Sequence, residues 1–394
     1  LALEWHLVWA AASGMETALY AALILLVFFW LGKEEPRWFL AGLAAGVAVW
    51  VRPDGITLLG PVGLLGMSRL SGAGRGTAQP PVQPEPVSPG GRSSRKVLLR
   101  RWGPLGLALV GFLCAFLPYI LFNWSVSGNL WPNTLYAKQA EYIENLQQPF
   151  LGRIASLLAL PLVGGGILLL PGFLYAVWRA AQERNWLVAA LFLWWLGYNL
   201  IYAASLPLTY QHGRYLMPSM PVFFLLGGIG TAWWAERAKK TRLSKRSRRL
   251  AGLAWRSAQG LLTLAFLVMG AVNYGQDVGI IETEMVATAG WMNANLPAGA
   301  RVAAHDIGAI GYFGKVEIID TAGLISPQVI PFIREEARLA EFLDQQGVEY
   351  LVTFPGWYPA LIRRGELIYQ TDGAFAPAAG GENMAVYRWS GAEK

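Results

Sequence analysis

Trp102-Gly-Pro-Leu-Gly-Leu-Ala-Leu-Val-Gly-Phe-Leu-Cys-Ala-Phe-Leu-Pro-Tyr-Ile-Leu-Phe122 is a run of 21 residues without one charged side chain. About 20 apolar helical residues cross the roughly 30 Å hydrocarbon layer of a bilayer, so this stretch reads as a transmembrane helix. Leu157 to Trp178, Trp186 to Leu208, Tyr215 to Ala235 and Ser257 to Gln276 are likewise long and free of charge, and each predicts a further span. Thr17 to Gly32 is slightly short and reaches across if Ser13 to Glu16 sits at the membrane surface. Trp38 to Val51 and Ile56 to Met67 are shorter still and flank Arg52-Pro-Asp-Gly55, which predicts a tight or re-entrant hairpin. Charges at membrane depth cost about 2.5–3.5 kcal/mol each, so Arg52 and Asp54 need a polar cavity or one another.

Composition agrees. Apolar residues make up 54% of the 394 and charged residues 14%, with a mean hydropathy of +0.37, which a water-soluble globule does not accommodate. The 18 Trp and 15 Tyr suit membrane interfaces. The single Cys114 excludes a disulfide framework and a thiolate metal site. His6, His212 and His305 are isolated, with neither HExxH nor CxxC spacing, so no metal site is expected. No glycine-rich phosphate loop follows a strand, so any activated donor must arrive ready-made.

Orientation follows from the basic loops. Ser68–Arg101 holds seven Lys or Arg and Glu236–Arg249 holds eight, each against one acidic residue. Both are cytoplasmic by the positive-inside rule, and everything after about Asn273 is then extracytoplasmic. Residues 1–273 carry 24 basic and 10 acidic side chains, whereas 274–394 carry 8 and 15. The positive charge therefore points to anionic membrane headgroups and not to nucleic acid. Residues 71–94, rich in Pro, Gly, Ser and Gln, read as a disordered cytoplasmic linker. Chain 1–273 is thus expected to be a polytopic α-helical membrane domain, and 274–394 a small extracytoplasmic α/β domain. Strands are predicted at Arg301–Asp306, Val316–Asp320, Tyr350–Phe354 and Met384–Trp389, with helices at Glu282–Asn295 and Glu335–Gln346.

Polar residues on the outward side are few. They are Glu16, the Arg52/Asp54 pair, the segment Trp131–Lys138 with Asn133, Tyr136 and Lys138, and Gln211–Tyr215 with His212, Arg214 and Tyr215. Carboxylate, imidazole and guanidinium groups on one membrane side suit proton transfer and phosphate binding for a polar substrate on a lipid anchor. Simpler readings stand beside this one. Glu16 could cap the helix that begins at Thr17, Arg52 and Asp54 could be a satisfied pair in a turn, Lys138 could be an ordinary interfacial lysine, and His212 and Arg214 could be solvated. His305-Asp306 reads as a strand-end turn.

Ser13-Gly-Met-Glu-Thr17, Arg52-Pro-Asp-Gly55, Pro132-Asn-Thr-Leu-Tyr-Ala-Lys138, His212-Gly-Arg-Tyr-Leu-Met-Pro218, His305-Asp-Ile-Gly-Ala-Ile-Gly-Tyr312 and Asp320-Thr-Ala-Gly-Leu324 follow in an order that resembles bacterial GT-C glycosyltransferases. The set is most similar to mycobacterial terminal arabinofuranosyltransferases and mannosyltransferase-like proteins. That resemblance implies a GT-C-like membrane enzyme of the cytoplasmic (inner) membrane with an outward active site. It also implies a polyprenyl-phosphate sugar donor and a cell-envelope glycan, lipid or protein acceptor. Such enzymes hold a catalytic aspartate, often in an Asp-Asp pair, in the first outer loop. No adjacent Asp pair occurs here, so the general base is expected upstream of Leu1 and the fragment alone is expected to be impaired. Glu16 takes the second acidic position, and Lys138, His212 and Arg214 take donor-phosphate or acceptor contacts.

A polytopic transporter or lipid-linked sugar flippase is the alternative, but it requires polar residues along a path through the bilayer centre, where the long segments carry no charge. A carbohydrate-binding or scaffold protein would rest on the tail alone and leave Arg52 and Asp54 unexplained. The orientation is tested with reporter fusions. Alkaline phosphatase is expected to be active when fused after Gln276 and silent after Arg246, and the reverse pattern overturns the topology.

Overall fold

The computed structural model describes residues 2–70, 93–240 and 244–390; most of the linker expected at 71–94 lies outside them. In chain order the helices are α1 (Trp5–Ala12), α2 (Thr17–Leu31), α3 (Trp38–Val51), α4 (Leu59–Leu70), α5 (Ser93–Ser127), α6 (Asn133–Glu141) and α7 (Phe150–Ala159). They continue with α8 (Leu170–Glu183), α9 (Trp186–Ser205), α10 (Met220–Lys239) and α11 (Lys245–Ile280). Two compact units result: Leu1–Leu130 with Gln148–Val268, and Trp131–Gln147 with Met269–Lys394. The sequence reading put residues 131–147 in the membrane part; their contacts group them with the C-terminal segment.

The first unit is helical, and the chain is a multi-pass membrane protein. Among the described residues Trp102–Ser127, Trp186–Ser205, Tyr210–Lys239 and Lys245–Asn295 are long and apolar enough to cross a membrane. The last is 51 residues long, which at 1.5 Å per residue is more than twice the length the hydrocarbon layer requires. Leu253, Leu261, Leu264, Val268 and Val272 along it are exposed, the expected outcome when lipid is the solvent.

Leu157 to Trp178 is not the single span that its composition predicts. Phe150–Leu162 and Gly165–Glu183 meet at 95°. The cause is local. Pro161 and a glycine triplet interrupt the helix, Gly164 takes φ +120°, and a Cβ at Gly166 would overlap the Pro161 carbonyl. An uncharged composition does not reveal such a break.

Between helices in lipid there is little hydrophobic gain, so close packing needs small residues. On α3, Gly42 lies against the Ala108 carbonyl and Gly46 against that of Phe112, while Gly111 of α5 meets the Phe39 carbonyl. Gly172 of α8 and Gly227 and Gly230 of α10 form the same kind of contact, Gly230 lying on the Gly172 carbonyl. A side chain at Gly42, Gly46, Gly111, Gly172 or Gly230 would collide with backbone, and one at Gly227 with the Leu169 Cβ.

The second unit contains a sheet in the order β2-β1-β3-β5-β4, from β1 (Arg301–Ala304), β2 (Glu317–Asp320), β3 (Tyr350–Thr353), β4 (Gly365–Gln370) and β5 (Ala385–Trp389). β1 pairs in parallel with β2 and β3, and β5 runs antiparallel to β3 and β4. The two-residue alternation divides the core. Val302, Ala304, Val352 and Val386 pack with Ala289 and Met292 of α12 (Ala287–Asn295) and Ile310 of α13 (Ile307–Phe313). Ala303, Leu351 and Tyr387 pack with Leu339 and Leu343 of α14 (Glu336–Gln345). Helix α11 enters α12 through a π-turn, Ile281–Val286. There the fully buried Glu284 accepts hydrogen bonds from Thr371, from Asn383 Nδ2 at 3.3 Å and from the Met384 amide at 2.8 Å. The sequence reading found four strands and missed β4, an edge strand whose residues are mostly exposed or half-buried and so carry no buried-face alternation.

The glycine contacts yield a direct test. Gly42→Ile and Gly230→Ile are expected to cost about 1–3 kcal/mol or more, seen as a lower thermal midpoint and less monodisperse protein in detergent. Gly106→Ile, where nothing lies within 4 Å, should behave like the parent. Equal behaviour of all three would refute the close-packing account.

Candidate functional site

The site in the first unit is built around Arg52. Helix α3 ends at Val51, and Pro53–Leu58 follow as a 3-10 turn, so the chain reverses with Arg52 in extended backbone at φ −151°. Arg52 is only 7% exposed, and a buried guanidinium must be paired. Its Nε lies 3.3 Å from Asp54 Oδ1, and its NH2 donates to the Tyr202 hydroxyl at 2.7 Å. NH1 is 3.7 Å from Glu16 Oε1. The guanidinium also faces the rings of Tyr20 and Tyr215, at 5.6 and 5.3 Å.

Asp54 is held equally firmly. Tyr198 and Tyr202 donate to its Oδ2 at 2.5 and 2.7 Å. Thr57 Oγ1 donates to the Asp54 carbonyl at 2.7 Å and accepts from Trp194 Nε1 at 3.1 Å. Trp194, Tyr198 and Tyr202 are four residues apart on α9 and so share one face. These aromatic partners were missed in the sequence, although polar-tipped aromatics at that spacing inside an apolar run were a signal.

Glu16 sits at the N-cap of α2 but makes no capping hydrogen bond. The macrodipole favours a carboxylate at that position, and the half-exposed side chain (49%) lies 3.7 Å from Arg52. Gln211, His212 and Gly213 all have positive φ, at 49°, 57° and 74°. For the two non-glycine residues this costs about 1–3 kcal/mol each, strain of the kind that collects at functional sites. The turn delivers Arg214 and Tyr215. Arg214 NH2 donates to the Tyr215 hydroxyl at 2.9 Å and its guanidinium lies over the rings of Tyr210 and Tyr215, at 5.6 and 4.9 Å. Tyr215 therefore faces two guanidiniums. Among the described residues Arg214 meets aromatic faces, a hydroxyl and the Met15 sulfur, and no carboxylate within ion-pair distance. His212 is placed elsewhere, its ring edge-on to Trp5 at 5.4 Å and Trp9 at 5.0 Å.

Of the residues singled out in the sequence, Glu16, Arg52, Asp54, Arg214 and Tyr215 come together. Asn133, Tyr136 and Lys138 belong to the second unit, on α6. There Lys138 Nζ binds Glu141 Oε2 at 2.7 Å, and Glu141 Oε1 lies 3.3 Å from His305 Nε2. His305 Nδ1 is 2.6 Å from the Tyr358 hydroxyl. His305 does follow the end of β1, as a strand-end residue should, but its ring belongs to this cluster. Burial alone would raise the Glu141 carboxyl; hydrogen bonds from His305 and Lys138, with the charges of both, outweigh it and hold the group at about 2.

The Arg52 network makes its own prediction. Asp54→Leu strands a buried guanidinium and is expected to cost about 3–5 kcal/mol, whereas the Arg52→Leu/Asp54→Leu double variant costs less than that single change. Arg52→Leu should be the milder single change, because Asp54 keeps two tyrosine donors. Thermal midpoints and folded yields in detergent decide it, and parent-like behaviour of all three variants refutes the buried pair.

Residues 273–387 match the model of a family described as a domain of unknown function (DUF8728). A search of curated protein sequences finds no significant match. Among solved structures the chain is similar to ArnT from Cupriavidus metallidurans, determined bound to undecaprenyl phosphate, with a TM-score of 0.55 and 15% identity over 98% of this chain and 77% of that one. The likeness establishes the architecture: an ArnT-like helical membrane fold followed by a region with a small mixed sheet.

Proposed function

We propose that this protein is a membrane glycosyltransferase that moves a sugar from a polyprenyl-phosphate donor to a cell-envelope acceptor at the outer face of the cytoplasmic membrane, with the C-terminal unit extracytoplasmic. The observation that carries the reading is the division of labour between two arginines at one site. Arg52 is already committed to Asp54 and Tyr202, so its work is to position. Arg214 is held by aromatic faces and a hydroxyl, which leaves its charge available to a phosphate, and a guanidinium takes phosphate bidentately. The neighbour of this fold was crystallised with undecaprenyl phosphate, a ligand of that chemistry.

Glu16 supplies the carboxylate. In place of the base expected upstream of Leu1, Glu16, half-exposed and making no capping hydrogen bond, takes the proton of an attacking hydroxyl in this reading. The hydroxyl oxygen bonds to the anomeric carbon, the bond from that carbon to the donor phosphate breaks, and the electron pair leaves with the lipid phosphate beside Arg214. Arg52, 3.7 Å from Glu16 Oε1, keeps the carboxylate oriented. The identity of the sugar, whether pentose or hexose, belongs to the transfer assay.

The assay is transfer of labelled sugar from a polyprenyl-phosphate donor in proteoliposomes. Arg214→Ala should raise the KM for donor about tenfold with a smaller change in kcat, as expected when ground-state phosphate binding is removed. Glu16→Gln should lower kcat about 100-fold or more at unchanged folded yield, the scale of lost general-base assistance. Translocation of the labelled lipid without sugar transfer would replace this reading with the flippase. Unchanged kinetics in both variants would remove these residues from the site.

A further inference from the structure

We propose that the C-terminal unit carries a second site, for an uncharged saccharide, formed by Trp357, His305 and Glu141. Three parallel strands end on one edge of the sheet: β1 leads into His305, β2 into Thr321, and β3 into the turn that holds Trp357 and Tyr358. The carboxyl ends of adjacent parallel strands form a crevice where ligands of open α/β sheets bind. Here α6 adds Glu141 and Lys138 to it.

The side chains fit a polyhydroxylated ring. Trp357 is 49% exposed and stands edge-on to His305, ring centroids 4.9 Å apart. A large aromatic surface left in water beside hydrogen-bonding groups is the surface on which the apolar face of a sugar stacks. Glu141 and His305 are each about one-sixth exposed; both imidazole nitrogens are engaged, by Tyr358 and Glu141, so His305 orients the Glu141 carboxylate, which is the acceptor that sugar hydroxyls reach. Tyr358 and Thr321 fix the imidazole from behind, with Tyr358 bonded to His305 Nδ1 at 2.6 Å and to Thr321 Oγ1 at 3.4 Å. The charge balance argues against an anion, because Lys138 is already neutralised by Glu141 at 2.7 Å and residues 274–394 carry 15 acidic against 8 basic side chains. A purely structural tie would be satisfied by the Lys138–Glu141 pair and would gain nothing from an exposed tryptophan. That the saccharide is the acceptor of the transfer reaction rests on the reading above; that it binds here does not.

The test is binding without any lipid donor, so its outcome is independent of the transfer assay. Full-length protein in nanodiscs is titrated calorimetrically with methyl α-D-mannopyranoside and maltotriose as neutral probes and with glucuronate as an anionic one. At least one neutral probe should bind in the millimolar range, and glucuronate more weakly. Trp357→Ala and Glu141→Gln should each weaken binding about tenfold, the loss expected when an aromatic face or a charged acceptor is removed, and Trp357→Phe should retain most of it. Trp357 is a surface residue, so its variants keep the test informative if Glu141→Gln folds poorly. Absence of binding by either neutral probe, stronger binding of glucuronate, or unchanged binding in Trp357→Ala would overturn the site.

Discussion

A guanidinium that is 7% exposed at the end of an apolar helix is the constraint around which the first unit is organised. Water cannot solvate Arg52, so protein must, and the required groups come from five places: Glu16 before α2, the ring of Tyr20 on α2, Asp54 in the turn after α3, Tyr202 on α9 and the ring of Tyr215. Asp54 in turn requires donors and takes them from Tyr198 and Tyr202. Each satisfied group fixes another element, so the polar network locates these segments more tightly than apolar contact would. The network is not uniform: Arg52 is committed to Asp54 and Tyr202, while Arg214 and Glu16 lie at its margin, and the proposed reaction draws on these two.

Elsewhere in that unit, packing follows the rules of lipid as solvent. Hydrophobicity keeps the helices in the bilayer but does not choose their neighbours, and the choice falls to shape. The glycines of α3 and α5, and of α8 and α10, bring backbones to van der Waals contact. Pro161 and the glycine triplet that follows work in the opposite direction, breaking a stretch whose composition would otherwise continue as helix.

The second unit solves a different problem. Its sheet has an apolar core on both faces, so polar groups are confined to strand ends, and on the edge where β1, β2 and β3 finish they gather as His305, Thr321 and Tyr358. Two carboxylates lie wholly inside: Asp320 at the end of β2, which accepts from the Ala322 and Ile325 amides, and Glu284, away from any strand, satisfied by Thr371, Asn383 and the Met384 amide. Glu284 ties the π-turn of the long helix to the residues that lead into β5.

Much of this was legible in the residues themselves. Uncharged runs marked the spans at Trp102, Trp186, Tyr215 and Ser257, because desolvating a charge is costly enough to be avoided along a whole segment. Short alternating runs marked four of the five strands, and the scarcity of polar groups singled out Glu16, Arg52, Asp54 and Arg214. What a linear reading could not supply was partnership. It grouped Lys138 with Arg214 as substrate contacts and did not foresee that Lys138 pairs with Glu141; it read His305 as a turn residue, whereas its ring meets Glu141 from α6 and Tyr358 from beyond β3. It missed Tyr198 and Tyr202, whose spacing with Trp194 marks one helix face but does not say which group that face holds. Local sequence settles solvent preference residue by residue, since transfer energies depend on the side chain alone. Which donor meets which acceptor is settled only when segments as distant as Asp54 and Tyr198 pack together, because a hydrogen bond acts over about 3 Å and depends on direction.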